Sequence, residues 1–110
     1  MSLTLYGGPK TRASMPRWYL EEKGIPYELK ELDLRGNQHR QPDYLTINPF
    51  GKLPALVDTS HQGLDGQPLK LFESGAILLH LAEHHAGEIT SASQRSLIAQ
   101  WLLFANATLA

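Results

Sequence analysis

Apolar and polar residues recur along this chain with a period that changes from segment to segment, and the changes mark the elements. Leu3 to Tyr6 reads as a short strand, closed by the turn cluster Gly7-Gly8-Pro9. From Arg12 to Lys23 the pattern is amphipathic at helical spacing, with Pro16 tolerated in the first turn and Gly24 as the stop. Ser14 is the natural N-cap if the helix begins there, whereas Arg12 or Ala13 lies inside it if the start is earlier. Tyr27 to Leu34 alternates as a half-buried strand and slips in period at Glu31, and Gln38 to Thr46 is polar and predicts a short, irregular helix. Ala55 to Val57 is a strand, Thr59 to Gly66 a turn region and Leu69 to Phe72 a second strand at hairpin distance. Ser74 to His85 then carries Ile77, Leu78 and Leu81 on one face, with Gly87 beyond it. Strand, helix, strand, helix, strand, strand, helix is an α/β order, and it fits a mixed sheet with a right-handed βαβ half and a hairpin half.

Ser91 to Ala110 is a further helical pattern, opened by Ser91 or Ser93 and carrying Leu97, Trp101, Leu102, Phe104 and Leu109. A helix with that many large apolar residues normally packs on something. The expectation is a fragment, or an unusually short natural form, of a longer two-domain protein.

Composition narrows the classes. A chain of 110 residues supports one small core, and 42% hydrophobic with 19% charged residues is ordinary for a globular domain. A net charge of -1 supplies no basic field, so neither nucleic acid nor an acidic membrane is expected as a partner. The absence of cysteine excludes disulfides, thiolate metal sites and any mechanism that uses a protein thiol. The N-terminus lacks the basic and apolar regions of a signal peptide, and no apolar run reaches the roughly 18 residues of a membrane span, so a cytoplasmic location is expected.

Candidate chemistry concentrates in two segments, Asn48-Pro49-Phe50-Gly51-Lys52-Leu53-Pro54-Ala55-Leu56-Val57 and Leu71-Phe72-Glu73-Ser74-Gly75-Ala76-Ile77. The first reads as a loop delivering an X-Pro bond to a buried strand, the second as a strand running into a helix N-terminus. Free N–H groups and the helix dipole make that second junction a receptor for an anion, although Ser74 or Glu73 capping its own helix is the commoner role. Together the segments look like a site for a small peptide. Gly51-Lys52 and Gly8-Pro9-Lys10-Thr11 are too incomplete for a phosphate loop.

Four short motifs in the same order carry a family resemblance: Leu5-Tyr6…Pro9, Leu20-Glu21-Glu22-Lys23-Gly24-Ile25-Pro26-Tyr27-Glu28, Asn48-Pro49…Lys52-Leu53-Pro54-Ala55-Leu56, and Glu73-Ser74…Ile77. From Leu3 to His85 the chain resembles the N-terminal, thioredoxin-like domain of soluble glutathione transferases. Ser91 to Ala110 resembles the first helix of that family's all-helical second domain. The resemblance implies a thioredoxin-like βαβ-α-ββα fold with a mixed four-stranded sheet flanked by helices, followed by one extra C-terminal helix. It divides the chain into a glutathione-binding domain, 1–86, and a linker with the first helix of a truncated helical domain, 87–110.

The same resemblance implies that Pro54 is cis, so that Leu53 pairs antiparallel with the cysteinyl part of glutathione; taken alone, an X-Pro bond is far more often trans. It also implies that Lys52 neutralises the glycyl carboxylate, that Ser74 receives the α-carboxylate and that Glu73 faces the α-ammonium. Glutathione is then a co-substrate and no further cofactor is expected. The reaction implied is attack of the bound thiolate on a small hydrophobic electrophile, with weak glutathione peroxidase activity beside it, and family members are usually homodimers.

Glutathione's own thiol is only a few per cent ionised at neutral pH, and lowering its pKa by about two units needs roughly 2.7 kcal/mol, within reach of one hydrogen bond to a charged group. Candidates for that role are Tyr6, Thr11, Arg12 and Ser14. An ungapped match to tyrosine-type members places Tyr6 at the catalytic tyrosine and Arg12 at an activating arginine, while anchoring on Pro9 and Leu20-Glu21-Glu22 places Thr11 at the serine of bacterial serine-type members. Thr11 and Tyr6 rank first, then Arg12 as a cationic helper, then Ser14. Tyr6 also has an ordinary role as strand packing and Ser14 as a helix cap.

Two other classes are weighed. The fold serves equally as a glutathione-binding or protein-interaction module without efficient catalysis. A stand-alone thioredoxin-type oxidoreductase lacks the CxxC it would need. His80 and His84 stand at i, i+4, yet there is no HExxH arrangement and no evident third ligand, so no metal site is expected and the histidines read as surface residues.

Overall fold

A computed structural model describes residues 2–8 and 11–109, the side chains of 108 and 109 excepted. Pro9 and Lys10, in the predicted first turn, the side chain of Leu109, and Ala110, where the last predicted helix ends, lie outside what it describes. In order the elements are β1 (Leu3–Gly7), α1 (Ser14–Glu22), β2 (Glu28–Glu31), a 3₁₀ turn (Gln38–Arg40), α2 (Pro42–Leu45), β3 (Ala55–Gln62), β4 (Pro68–Phe72), α3 (Ser74–His84) and α4 (Ala92–Phe104), which runs on into a π-helical turn (Ala105–Leu109). The sheet order is β2-β1-β3-β4, with β1 parallel to β2 and antiparallel to β3, and β3 antiparallel to β4.

Period-2 alternation in β1 sends Leu3 and Leu5 to one face, where they meet Leu20 of α1, Leu56 of β3, and Ile77 and Leu81 of α3 in a continuous buried cluster. Burying each such side chain contributes about 1.5–3 kcal/mol. Tyr6 points to the other face and packs on Tyr44 of α2, the ring centroids 5.6 Å apart. Helices therefore cover both faces of the sheet, and the fold is thioredoxin-like.

Three elements differ from their predicted bounds. α1 starts at Ser14 with Ala13 as N-cap and no side-chain cap, since a methyl group cannot accept a hydrogen bond; the Thr11 hydroxyl, just before it, accepts from the Ala13 N–H at 3.3 Å. β2 keeps only Glu28–Glu31, since it is an edge strand with a single partner. β3 is longer than predicted: beyond Asp58 an irregularity in its register with β4 lets the exposed, polar Thr59–Gln62 remain extended, and the turn shrinks to residues 63–67. α4 is capped by Ser91, whose hydroxyl accepts from the Gln94 N–H at 3.2 Å, and it packs along α3. No helix among the described residues is long and apolar enough to cross a membrane.

Candidate functional site

An open cleft of about 760 Å³ is lined by the loop before β3, the 3₁₀ turn, the β1–α1 loop and the junction of β4 with α3. Asn48 is 2% exposed and organises the loop before β3. Its Nδ2 donates to the Lys52 carbonyl at 3.0 Å, its Oδ1 accepts from the Phe50 N–H at 3.0 Å, and its own carbonyl accepts from the Gly51 N–H at 3.0 Å. The Tyr44 hydroxyl donates to the same Lys52 carbonyl at 2.6 Å. Burial pushes the Tyr44 phenol well above its usual range, so it stays a donor throughout the neutral region. Gly51 has φ +65°, and a Cβ there would stand 2.9 Å from the His39 carbonyl oxygen, which keeps the position for glycine. The chain leaves this loop through a cis Leu53–Pro54 peptide. Leu53 lies beyond Tyr6–Ala55, the last β1–β3 pair, so that ladder does not use its peptide groups.

Glu73 joins β4 to α3 with φ 75° and ψ 122°, a conformation that costs a non-glycine residue about 1–3 kcal/mol. The exposed Lys52 and Glu73 both line the cleft, with Arg12, His39 and Arg40 completing a lining richer in basic than acidic groups. His39 Nδ1 is buried there with no hydrogen-bond partner among the described residues. Phe50 and Phe72 meet edge to face at 5.6 Å and close one side. Asn48 opens a segment that the sequence marks out, without a role for its side chain, whereas His39 and Arg40 go unmarked; a basic side chain in a polar segment carries no mark of the cleft it will face.

The candidates for thiol activation separate. Thr11 and Arg12 line the cleft. The Thr11 hydroxyl donates to the Gly8 carbonyl at 2.7 Å and accepts from the Gly8 N–H at 3.3 Å, so it braces the β1–α1 loop. The Arg12 side chain is exposed. Tyr6 lies against Tyr44, and Ser14 lines a separate depression with Arg17 and Trp18.

Ser74 is 1% exposed, and its hydroxyl donates to Oδ1 of Asn106 at 3.3 Å, while the Gly75 N–H donates to the same oxygen at 2.7 Å. The N-terminus of α3 is therefore capped by the end of the α4 segment. No sequence signal announces a contact that spans 32 residues.

Two of the three histidines, His80 and His85, depart from the surface reading, while His84 is exposed as expected. His80 is 9% exposed, and its Nε2 lies 2.7 Å from Asp58 Oδ2; His85 Nε2 lies 2.8 Å from that same oxygen. Burial alone would raise the Asp58 carboxyl, but hydrogen bonds from Ser60, His80 and His85 outweigh it and hold the group well below the usual carboxylate range. Burial pushes the His80 imidazole down, only partly offset by Asp58, so neutral His80 serves as an N–H donor.

A mixed sheet with helices on both faces and a cis-proline beside a polar cleft defines a thioredoxin-fold domain. Residues 1–83 match the family described as Glutathione S-transferase, N-terminal domain. The chain belongs to the glutathione S-transferase family. It is 41% identical over 105 residues to the disulfide-bond oxidoreductase YfcG of Escherichia coli, covering 93% of this chain and 47% of that protein. Among solved structures it is similar to a glutathione transferase from Pseudomonas putida with one glutathione disulfide bound per subunit, at TM-score 0.76 and 37% identity, covering 94% of this chain and 44% of that one. It is likewise similar to a glutathione transferase from Burkholderia graminis with two glutathione molecules bound per subunit, at TM-score 0.79 and 38% identity, covering 94% and 42%. The chain spans about half the length of the curated relatives it matches.

Proposed function

We propose that this chain holds glutathione along the cleft, stabilises its thiolate and promotes attack on a small electrophile. The observation that carries the reading is the cis Leu53–Pro54 corner lining one cleft together with Lys52 and Glu73. Leu53 offers its unused peptide groups to the cysteinyl backbone. Lys52, with Arg40 and His39 nearby, takes the glycyl carboxylate, and Glu73 takes the γ-glutamyl ammonium. Ser74 serves the adjacent α-carboxylate once Asn106 turns aside or shares its donors.

At the sulfur, Arg12 and Thr11 are the groups the cleft supports. A guanidinium favours the thiolate by charge, and the Thr11 O–H reaches the sulfur by releasing the Gly8 carbonyl. The thiolate then attacks an electrophilic carbon, a carbon–sulfur bond forms and the leaving group departs with its electron pair. The same thiolate also attacks a peroxide oxygen, more weakly: the O–O bond breaks, an alcohol or water leaves, and the sulfenic acid formed condenses with a second glutathione to glutathione disulfide and water. A cytosolic location suits a reaction that consumes reduced thiol.

We further read α4 as the opening helix of a helical domain whose later helices, or a second copy in a homodimer, would cover the exposed Leu97, Trp101, Leu103 and Phe104. The electrophile pocket would lie against that domain.

A second reading follows from the oxidoreductase name of the relative in Escherichia coli and from the glutathione disulfide bound in the Pseudomonas putida structure. The same bound thiolate attacks a disulfide, forming a mixed disulfide with glutathione and releasing the other sulfur as a thiolate. No protein cysteine is required for that step.

Calorimetric titration is the test of the site. Millimolar glutathione should bind, with Lys52→Ala and Glu73→Gln each weakening affinity by about 10-fold, or about 1.4 kcal/mol; absence of heat and of a thermal shift overturns the proposal. For the chemistry, Arg12→Ala and Thr11→Ala should raise the pKa of the bound thiol, read by thiolate absorbance, and slow reaction with a chlorinated aromatic, whereas Tyr6→Phe should act mainly on stability. Rates unchanged in all three variants would leave glutathione holding as the whole function. Faster turnover on a model disulfide than on the chlorinated aromatic would select the exchange reaction.

A further inference from the structure

At the far end of α3 from the cleft, four side chains converge on a point that the glutathione reading does not use. Asp58 and His61 come from β3, His80 from α3 and His85 from the residue just past its end. Three imidazole nitrogens surround one carboxylate oxygen: His80 Nε2 at 2.7 Å, His85 Nε2 at 2.8 Å and His61 Nδ1 at 3.2 Å from Asp58 Oδ2. One ligand atom from each residue lies within 4.8 Å of all the others.

A carboxylate oxygen offers two in-plane lone pairs, so the buried side chains of His80 and His85 fill Oδ2, while His61 Nδ1 is shared with the Ser60 hydroxyl at 3.1 Å; the third imidazole stands at the oxygen without being needed there as a donor. Around a tetrahedral zinc ion, bonds of about 2.0–2.1 Å set neighbouring ligand atoms about 3.3 Å apart. The shortest O···N separations, 2.7 and 2.8 Å, would open by about half an ångström to reach that spacing, and the imidazole nitrogens, which lie within 4.8 Å of one another, would settle around the ion.

The surroundings hold the ligands in place. Asp58 Oδ1 accepts from the Ser60 N–H at 2.9 Å and from the Ser60 hydroxyl, which turns Oδ2 toward the imidazoles. His80 is fixed by the helix, while His85, at φ −123° and ψ −36°, leaves the helical path and thereby comes over Asp58. His84, in register with His80 on the helix, instead lies 3.6 Å from Glu83 and supplies a ring wall against His61 at 4.7 Å. Asp58 is fully buried, but His61 remains about one third exposed and gives an ion a path in.

We propose that Asp58, His61, His80 and His85 form a four-ligand site for a divalent transition metal, zinc being the ion that its donor set suits. Three imidazoles and one carboxylate form a borderline-soft donor set, suited to zinc over magnesium or calcium. All four positions come from protein, so the ion is structural: it ties the β3–β4 hairpin to the end of α3 and carries no substrate.

The test uses untagged chain stripped of metal with a chelator. Titration with zinc should show one equivalent bound per chain and a rise in Tm that magnesium does not give. Cobalt(II) in its place should give the intense visible bands of four-coordinate cobalt. His61→Ala, at a half-exposed position the core does not need, should weaken zinc affinity by about 100-fold or more and remove those bands, with glutathione binding unchanged. His80→Gln should do the same. No saturable binding at one per chain, an unchanged Tm with zinc, or equal affinity in parent and His61→Ala would overturn the proposal and leave a hydrogen-bonded polar cluster or scattered surface binding.

Discussion

In the metal-free chain, Asp58→Asn is expected to cost about 3–5 kcal/mol, the range found when one partner of a buried charged network is removed. At about 4 °C per kcal/mol for a domain of this size, Tm should fall by roughly 12–20 °C, as thermal unfolding followed by circular dichroism would record. The reason lies in donor and acceptor counts. Both carboxylate oxygens are used, Oδ1 by the two Ser60 donors and Oδ2 by the three imidazoles. An asparagine keeps one acceptor and turns the other toward the same groups as an N–H₂ donor. The full burial of Asp58 leaves no water to take over. A shift of less than about 2 °C would show that the cluster contributes little to the fold.

Asn48→Ala is expected to act on both stability and ligand. It removes the Nδ2 bond to the Lys52 carbonyl and the Oδ1 bond from the Phe50 N–H in a side chain that is 2% exposed, a loss of about 2 kcal/mol. Tyr44 still holds the Lys52 carbonyl, so the loop should loosen and the domain stay folded. Because Lys52 and the cis Leu53–Pro54 corner hang from this loop, glutathione affinity should fall about 10-fold or more, measured by calorimetry at a temperature where the variant remains native. An unchanged affinity beside a lowered Tm would detach the loop from the binding site.

Much of the architecture was legible because it is written in short-range pattern. The alternation of Leu3 and Leu5, the helical spacing of Ile77, Leu78 and Leu81, and the Ser91 cap each describe an element through its own neighbours, and each element stands where that pattern places it. Bounds slipped where pairing decided them. β3 runs on to Gln62 because β4 is there to pair with it, although Thr59-Ser60-His61-Gln62 reads as polar turn. The glutathione S-transferase family was likewise readable, because its motifs are local stretches around a loop, a strand and a helix start.

The site divides along the same line. The sequence by itself determined the elements, the family, and the placing of Lys52, Leu53, Pro54, Glu73 and Ser74 at two loop-to-element junctions. Only the tertiary structure decided that Tyr6 packs on Tyr44 while Thr11 and Arg12 face the cleft, that Asn106 caps the helix of Ser74, and that Asp58 gathers three histidines. A strand or a helix is chosen by interactions within a few residues and leaves a periodic trace. A contact between Asp58 and His85 depends on how whole elements are laid against each other, and the only mark of it in the sequence is the residues themselves, 27 positions apart.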